Sequence, residues 1–549
     1  MNFLSSLNRA QIIRQLSTDH FDLTIIGGGI TGAGIALDAA SRGLKVALVE
    51  KKDFASGTSS KSTKLIHGGL RYLKQLEIGL VREVGQERAI VHKIAPHLVV
   101  PEKMLLPLIK EGSYGELGTS FGLWVYDILA GVEGDDKRKM LSREETLTKE
   151  PLLKKDIVTG GGFYAEYRTD DARLTIENIK TANQFGAICI NYVEASDFEY
   201  NDEHQIEGVK CIDRNAEKSF IIRSKHVISA AGPWVDNLRK VDHSLEGKHL
   251  FLSKGVHIVV PHARFPVHQA VYFDVPDGRM IFAIPRNRVT YIGTTDTPYK
   301  GDINNIPVYR EDVDYLLNAA NNMFPTIMLT IEDVESSWAG LRPLIHEEGK
   351  SASEMSRKDE LFISDSGLIS IAGGKLTGFR KMAERVVDVV AKKTDQPLKR
   401  NRTEDIPLTG GIFADAEAVE KYRSHLAEQI KQLGLTDYHA KYLVGNYGKQ
   451  SEEILLKMKD FPEEPLVALA RAEAWYSIQN ELVLTLMDFF VRRTGRLYFD
   501  LPSIEPIKSI ILNDFKNYFQ WDENRLLEEQ KVLEDAIRET STFQPSTGG

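Results

Sequence analysis

The sequence predicts an α/β protein with an α+β cap: a Rossmann-like nucleotide domain, a mixed-sheet substrate cap and a helical C-terminal domain. Three observations predict it. Near the N-terminus a short apolar strand runs into a glycine-rich turn and a helix. Strand-rich stretches then interrupt that pattern until a second strand–glycine–helix element follows at residues 368–380. Beyond residue 405 almost only helical spacing remains. Strands alternating with helices predict a parallel sheet, and the strand-rich insertions predict a second sheet beside it.

Residues 23–26 form a β-branched apolar run, so a buried strand. Gly27, Gly29 and Gly32 then spell G-x-G-x-x-G. Residues 31–41 are Ala-rich with helical spacing, Gly43 ends the helix, and residues 46–49 make a second buried strand. Glu50 closes it, about 20 residues after the glycines, where a dinucleotide fingerprint expects its acid. Each part has a physical task. Gly27 allows the tight turn, Gly29 lets a pyrophosphate approach the backbone, and Gly32 lets helix and strand pack closely. The helix N-terminus offers N–H groups and a positive dipole end to phosphate. Glu50 can accept hydrogen bonds from both ribose hydroxyls, and its charge disfavours a 2′-phosphate.

The chain has 549 residues, enough for two or three domains. Its hydrophobic share of 42% and charged share of 27% are those of a globular protein, and its net charge of −9 argues against a general nucleic-acid binder. Cys189 and Cys211 lie in apolar strand-like runs and form no metal-ligand set. No uninterrupted apolar window of about 18 residues exists, so no transmembrane helix is expected. The N-terminus lacks the pattern of a signal peptide. Residues 1–20 instead have the spacing of an amphipathic helix, with Arg9 and Arg14 between the apolar positions. Docking on the body and lying on a membrane surface are both open to it.

After Glu50 comes a hydroxyl-rich run, residues 57–64, without apolar periodicity. Thr58, Ser59, Ser62, Lys64 and Leu65 are therefore candidates to line a polar cofactor. His67 and Arg71 flank a glycine pair, and Tyr72 follows. Residues 73–96 read as a long amphipathic helix, and the glycine-bounded apolar segment 115–131 as a helix buried under a cap, or facing lipid. Gly232 sits where a strand ends and a helix begins. In the late element, Gly373, Gly374, Lys375, Leu376 and Thr377 lie between a buried strand and a helix, whose N-terminal dipole can point at the electron-rich end of a reduced flavin. The expected domains are residues 1–100, 161–250 and 360–400 for the nucleotide; 101–160 and 251–359 for the cap; and 405–549 for the C-terminal helices.

The run IIGGGITGAGIALDAASRGLKVALVEKKDFASGTSSKSTKLIHGGLRYL closely resembles the FAD-dependent glycerol-3-phosphate dehydrogenases. So do AAGPWVD from residue 230, IGTTDTPY from 292, WAGLRPL from 338 and AGGKLTGFRKMAE from 372. ELVLTLMDFFVRRTGR, from residue 481, is similar to a signature of that family's helical C-terminal domain. Gly378-Phe379 departs from the Thr-Tyr that relatives often carry. The resemblance implies a fold like that of D-amino-acid and glycine oxidases, with FAD bound. No attachment residue is evident, so the FAD is expected to be non-covalent. It further implies oxidation of sn-glycerol 3-phosphate to dihydroxyacetone phosphate in glycerol catabolism. Electrons would pass to a membrane quinone, from a protein peripheral to the cytoplasmic face of the membrane and often a homodimer.

Such a substrate needs cations for a phosphate dianion, and an arginine fork binds phosphate oxygens bidentately. Arg71, Arg342 and Lys375 each sit beside a glycine-bearing turn, and Tyr72 is placed to assist in orientation. His67 is the candidate base for the C2 hydroxyl proton, because histidine titrates near neutrality. Arg342 can also steady a developing alkoxide. No metal is expected. Two alternatives stay open: a same-fold oxidase using O₂ or acting on an amino acid, and a flavin-containing scaffold without turnover.

Overall fold

Residues 23–26 and 46–49 are buried on both faces and, Thr24 apart, apolar, as in a parallel sheet flanked by helices. The computed structural model describes residues 3–67, 78–110, 112, 137–346, 359–394 and 397–546. Strands are numbered along the chain. The first sheet has eight strands: β1 (His20–Ile26), β2 (Val46–Val49), β7 (Ile188–Ile190), β8 (Val193–Tyr200), β9 (Ile206–Asp213), β10 (Lys218–Ser229), β17 (Asp359–Ile363) and β18 (Ile369–Gly373). Its order is β17-β18-β10-β1-β2-β7, with β9 and β8 extending from β10. The pairs β18–β10, β10–β1, β1–β2 and β2–β7 are parallel. The helix Ile30–Ser41 lies between the helices Asp171–Gln184 and Phe379–Ala391. Gly34 permits this: a Cβ there would lie 2.9 Å from the Phe379 ring.

The second sheet has ten strands: β3 (Leu65–Ile66), β4 (Val100–Ile109), β5 (Lys139–Ser142), β6 (Val158–Arg168), β11 (Leu250–Pro261), β12 (Ala270–Asp274), β13 (Met280–Arg286), β14 (Val289–Gly293), β15 (Thr297–Pro298) and β16 (Ser336–Ile345). It is mixed, since β12 runs parallel to β4 while its other pairings are antiparallel. The expected boundary at residue 161 falls inside β6, a strand of this second sheet. The chain crosses between sheets twice here: at residues 50–65, from β2 to β3, and again between β6 and β7.

The helices after residue 405 do not form an isolated body. Ala470, Phe489, Phe490 and Phe515 share one core cluster with Tyr291 and Trp338 of the second sheet. Those sheet aromatics are large and apolar, so they require a cover, and the C-terminal helices supply it.

For the N-terminal segment the structure decides between the two readings open to it. The helix Arg9–Thr18 is docked, with Ile12 and Leu16 wholly buried. Arg9 does not face lipid. It is buried, with Nη2 2.6 Å from Asp213 Oδ1 and Nη1 2.7 Å from the Asn191 carbonyl. Burial lowers its pKa and the Asp213 carboxylate opposes that shift. Arg14 is exposed. The second expected membrane contact, in 115–131, lies outside the described residues, as do residues 73–77 before the helix Ile78–Ile94. No helix among the described residues is long and apolar enough to cross a membrane. Because Arg9→Ala would strand a buried carboxylate, it should lower the unfolding free energy by about 3 kcal/mol or more. Urea unfolding of the variant against wild type measures it.

Candidate active site

Where β1 gives way to the helix Ile30–Ser41, Gly27 adopts φ +116° and its N–H donates to the Val49 carbonyl at 2.8 Å. A Cβ on Gly32 would lie 1.9 Å from the Gly27 oxygen, so this helix approaches the strand as only glycine permits. Glu50 closes β2 from inside the turn. Its Oε2 accepts from Gly28 N at 2.8 Å and its Oε1 from Lys52 N at 2.9 Å. Burial raises the Glu50 pKa and those two backbone donors oppose the rise. Ser59 Oγ accepts from Ile30 N at 3.0 Å, so a hydroxyl already occupies the anion-seeking end of the helix.

These groups open into one cavity of about 490 Å³ that runs between the two sheets. Of the nucleotide candidates, Gly27, Gly29, Glu50, Thr58, Ser59, Ser62, Leu65, Gly232, Gly373, Gly374, Leu376 and Thr377 all line it. Gly32 does not, consistent with a packing task. Lys64 is a correction. It adopts φ +58°, turns into the protein and places Nζ 2.5 Å from Asp171 Oδ1 and 3.0 Å from the Ser60 carbonyl. The lysine of this run that lines the cavity is Lys61, whose pKa is pushed down to about 8 by burial, then by the nearby charges of Arg492 and Lys52.

The same cavity is lined by His67, Arg342 and Lys375, three of the expected substrate-handling residues. Arg342 projects from β16. Its Nη2 donates to Thr294 Oγ1 at 3.0 Å and its Nη1 to the Thr295 carbonyl at 3.2 Å, with Asp296 Oδ1 at 3.3 Å. Gly255 opposite gives the guanidinium its room, since a Cβ there would lie 2.6 Å from Nη2. The His67 ring meets Phe282 edge-on at 6.3 Å, and its carbonyl accepts from Thr377 Oγ1 at 3.3 Å, tying the two glycine elements together. Arg71 and Tyr72 lie outside the described residues.

Two cavity residues were missed in the sequence. His257 stacks on Trp338 at 4.8 Å, with Nε2 3.0 Å from Thr63 Oγ1. Burial, then the charges of Arg342 and Lys64, holds it neutral by lowering its pKa well below the usual value. In sequence it is a lone histidine in the apolar strand β11, which reads as core. Asp171 reads as the start of a capped helix, yet it lines the cavity and bonds both Ser62 and Lys64. Among the described residues no group of three or more His, Cys, Asp or Glu could hold a metal.

The glycine cradle, the buried acid and the hydroxyls together suit a dinucleotide. A family model described as "FAD dependent oxidoreductase" matches residues 22–383, and one for the "C-terminal domain of alpha-glycerophosphate oxidase" matches residues 401–526. An aerobic glycerol-3-phosphate dehydrogenase of Bacillus subtilis is 50% identical over 547 residues, covering 97% of this chain and 98% of its own. The chain belongs to the FAD-dependent glycerol-3-phosphate dehydrogenases. Its cofactor is FAD. A Staphylococcus aureus aerobic glycerol-3-phosphate dehydrogenase is 47% identical, covering 98% of each chain. The solved glycerol-3-phosphate dehydrogenase from Bacillus halodurans, complexed with FAD, matches with a TM-score of 0.85 at 44% identity, covering 100% of each chain. Glycine oxidase from Geobacillus kaustophilus shares the fold, with a TM-score of 0.52 at 21% identity over 70% of this chain and 97% of its own.

Gly29 tests the cradle. A Cβ there would already press on Ser59 Oγ at 3.1 Å, and a larger side chain would fill the pyrophosphate's place. Gly29→Leu should therefore purify without flavin, which its visible absorption spectrum reports; a fully loaded yellow variant would move the pyrophosphate elsewhere.

Proposed function

We propose that this protein oxidises sn-glycerol 3-phosphate to dihydroxyacetone phosphate, with electrons passed to a membrane quinone in glycerol catabolism. The observation that carries this reading is one cavity that joins the cradle and Glu50 to Arg342, Lys375 and His67. Bound FAD supplies a two-electron hydride acceptor at N5. Glu50 would hold the ribose hydroxyls, and the N-terminal end of the helix Ile30–Ser41, with the Ile30 N–H already donated to Ser59 Oγ, would face the pyrophosphate. In the same cavity Arg342 offers a fork already oriented by Asp296, Thr294 and Thr295, so little of its freedom remains to be lost on binding. Lys375 adds a second cation. An amino acid's carboxylate needs only one fork, whereas a phosphate dianion uses both charges.

His67 takes the proton from the C2 hydroxyl. His257, held neutral behind Thr63, keeps a hydrogen-bonding wall there without adding a charge. The acceptor and the membrane association rest on the resemblance in sequence. Reduction rates with quinone in anionic vesicles against O₂ in solution separate this reading from an oxidase.

Anaerobic addition of glycerol 3-phosphate should bleach the flavin, whereas glycine or another amino acid should not. Bleaching by neither would leave a flavin scaffold. In the same assay Arg342→Ala should lose about tenfold to a hundredfold in rate, because a charge-assisted contact contributes about 1.5–3 kcal/mol. FAD content should be kept, and wild-type kinetics would make Arg342 structural. His67→Asn should remove the acidic limb of the kcat/KM profile, since a base fails when it is protonated. An unchanged limb with high residual activity would assign proton removal to another group.

A further inference from the structure

The family model for the FAD fold ends at residue 383, and a separate one begins at 401. The C-terminal helices nevertheless reach the cofactor turn through one carboxylate. Asp53 lies three residues past Glu50, has no solvent exposure, and is met from the C-terminal side by two arginines. Arg493 donates Nη1 to Oδ2 at 2.8 Å and Nη2 to Oδ1 at 2.9 Å. Arg492 donates Nε to Oδ2 at 2.5 Å. Both arginines sit in the π-helix Asp488–Arg493, a form that is rare and concentrates at functional sites. Asn191 bridges the assembly, its Nδ2 donating to Asp53 Oδ1 at 2.8 Å and to the Leu482 carbonyl at 2.9 Å.

The segment that Asp53 anchors holds the glycine cradle from beneath. Gly28 N donates to Glu50 Oε2 at 2.8 Å, and Gly28 O accepts from Ala55 N at 3.0 Å. The Phe54 ring fills the space under Gly28, where an added Cβ would lie 2.7 Å from Cδ1. Both backbone groups of Gly28 are thus set by residues 50–55. Burial would raise the Asp53 pKa, but the two guanidiniums override it and hold the carboxyl at about 2, so the anchor stays ionised across working pH.

We propose that Asp53, Arg492 and Arg493 are positioning residues through which the C-terminal helices set the affinity for FAD. The inference rests on the cofactor site described above. Two sites coupled this way act on each other equally, so FAD must also tighten the π-helix.

The test is FAD titration of full-length apoprotein, with thermal unfolding and hydrogen exchange alongside. Asp53→Asn and Arg492→Ala should each raise the Kd for FAD about tenfold, within the range by which coupling residues act. Arg471 pairs with Asp514 and Glu463 inside the C-terminal helices. Arg471→Ala should lower the unfolding midpoint yet keep the Kd within about twofold of wild type, as distant independent sites do. In wild type, FAD should slow exchange across residues 488–493. An Arg492→Ala Kd within about twofold of wild type overturns the proposal. So does exchange at 488–493 that is indifferent to FAD, or an Arg471→Ala variant that loosens FAD equally. Should Asp53→Asn fail to fold, Arg492→Ala and the exchange data decide. Wild-type protein that takes up no FAD would instead refute the cofactor site.

Discussion

The carboxylate of Asp171 is the constraint on which the cavity depends. It is wholly buried at the start of a helix behind the first sheet. One oxygen takes both the N–H and the hydroxyl of Ser62, and the other takes the Lys64 ammonium. Those bonds pin the chain as it crosses from one sheet to the other. Pinned there, Ser59 meets the helix N-terminus, Lys61 faces the cavity and Thr63 meets His257. Burial raises the Asp171 pKa and the Lys64 charge opposes the rise. Removing either partner would leave a stranded charge, which is far more destabilising than the pair is stabilising.

Further buried charges follow the same logic around the C-terminal helices. Arg173 grips Glu481 with both Nη atoms at 2.9 Å, and Lys180 reaches Glu481 at 3.0 Å. An exposed ion pair contributes little, but fully desolvated forks fix one relative placement of the elements that carry them. Here they join a helix of the first sheet to the segment that leads into Arg492 and Arg493. The contact of Tyr498 and Phe499 with Trp338 supplies the non-directional part of the same docking.

The composition of the cavity suits the phosphorylated substrate proposed for it. Its lining holds Arg342 and Lys375 but keeps His257 uncharged. A cationic lining beside a neutral imidazole attracts an anion without repelling the positive charge of the fork. The room for Arg342 exists because Gly255 faces it across the β11–β16 pair.

Much of this was legible in the sequence because it is local. Gly27, Gly29, Gly32 and Glu50 belong to one strand–turn–helix–strand unit, whose geometry follows from backbone sterics and spacing. The second glycine turn at Gly373 and Gly374 was legible for the same reason. Tertiary structure alone decided what depends on which way a side chain turns and what it meets. Lys64 and Lys61 are equivalent in a hydroxyl-rich run, and only the left-handed backbone at Lys64, drawn in by Asp171 from a distant helix, separates them. Arg9 reads as the charged face of an amphipathic helix until Asp213 is brought beneath it. His257 reads as core until the β11–β16 pair stacks it on Trp338 and turns it to the cavity. Local spacing determines which backbone can form, but the environment of a charge is set by residues distant in the chain, and only folding brings them together.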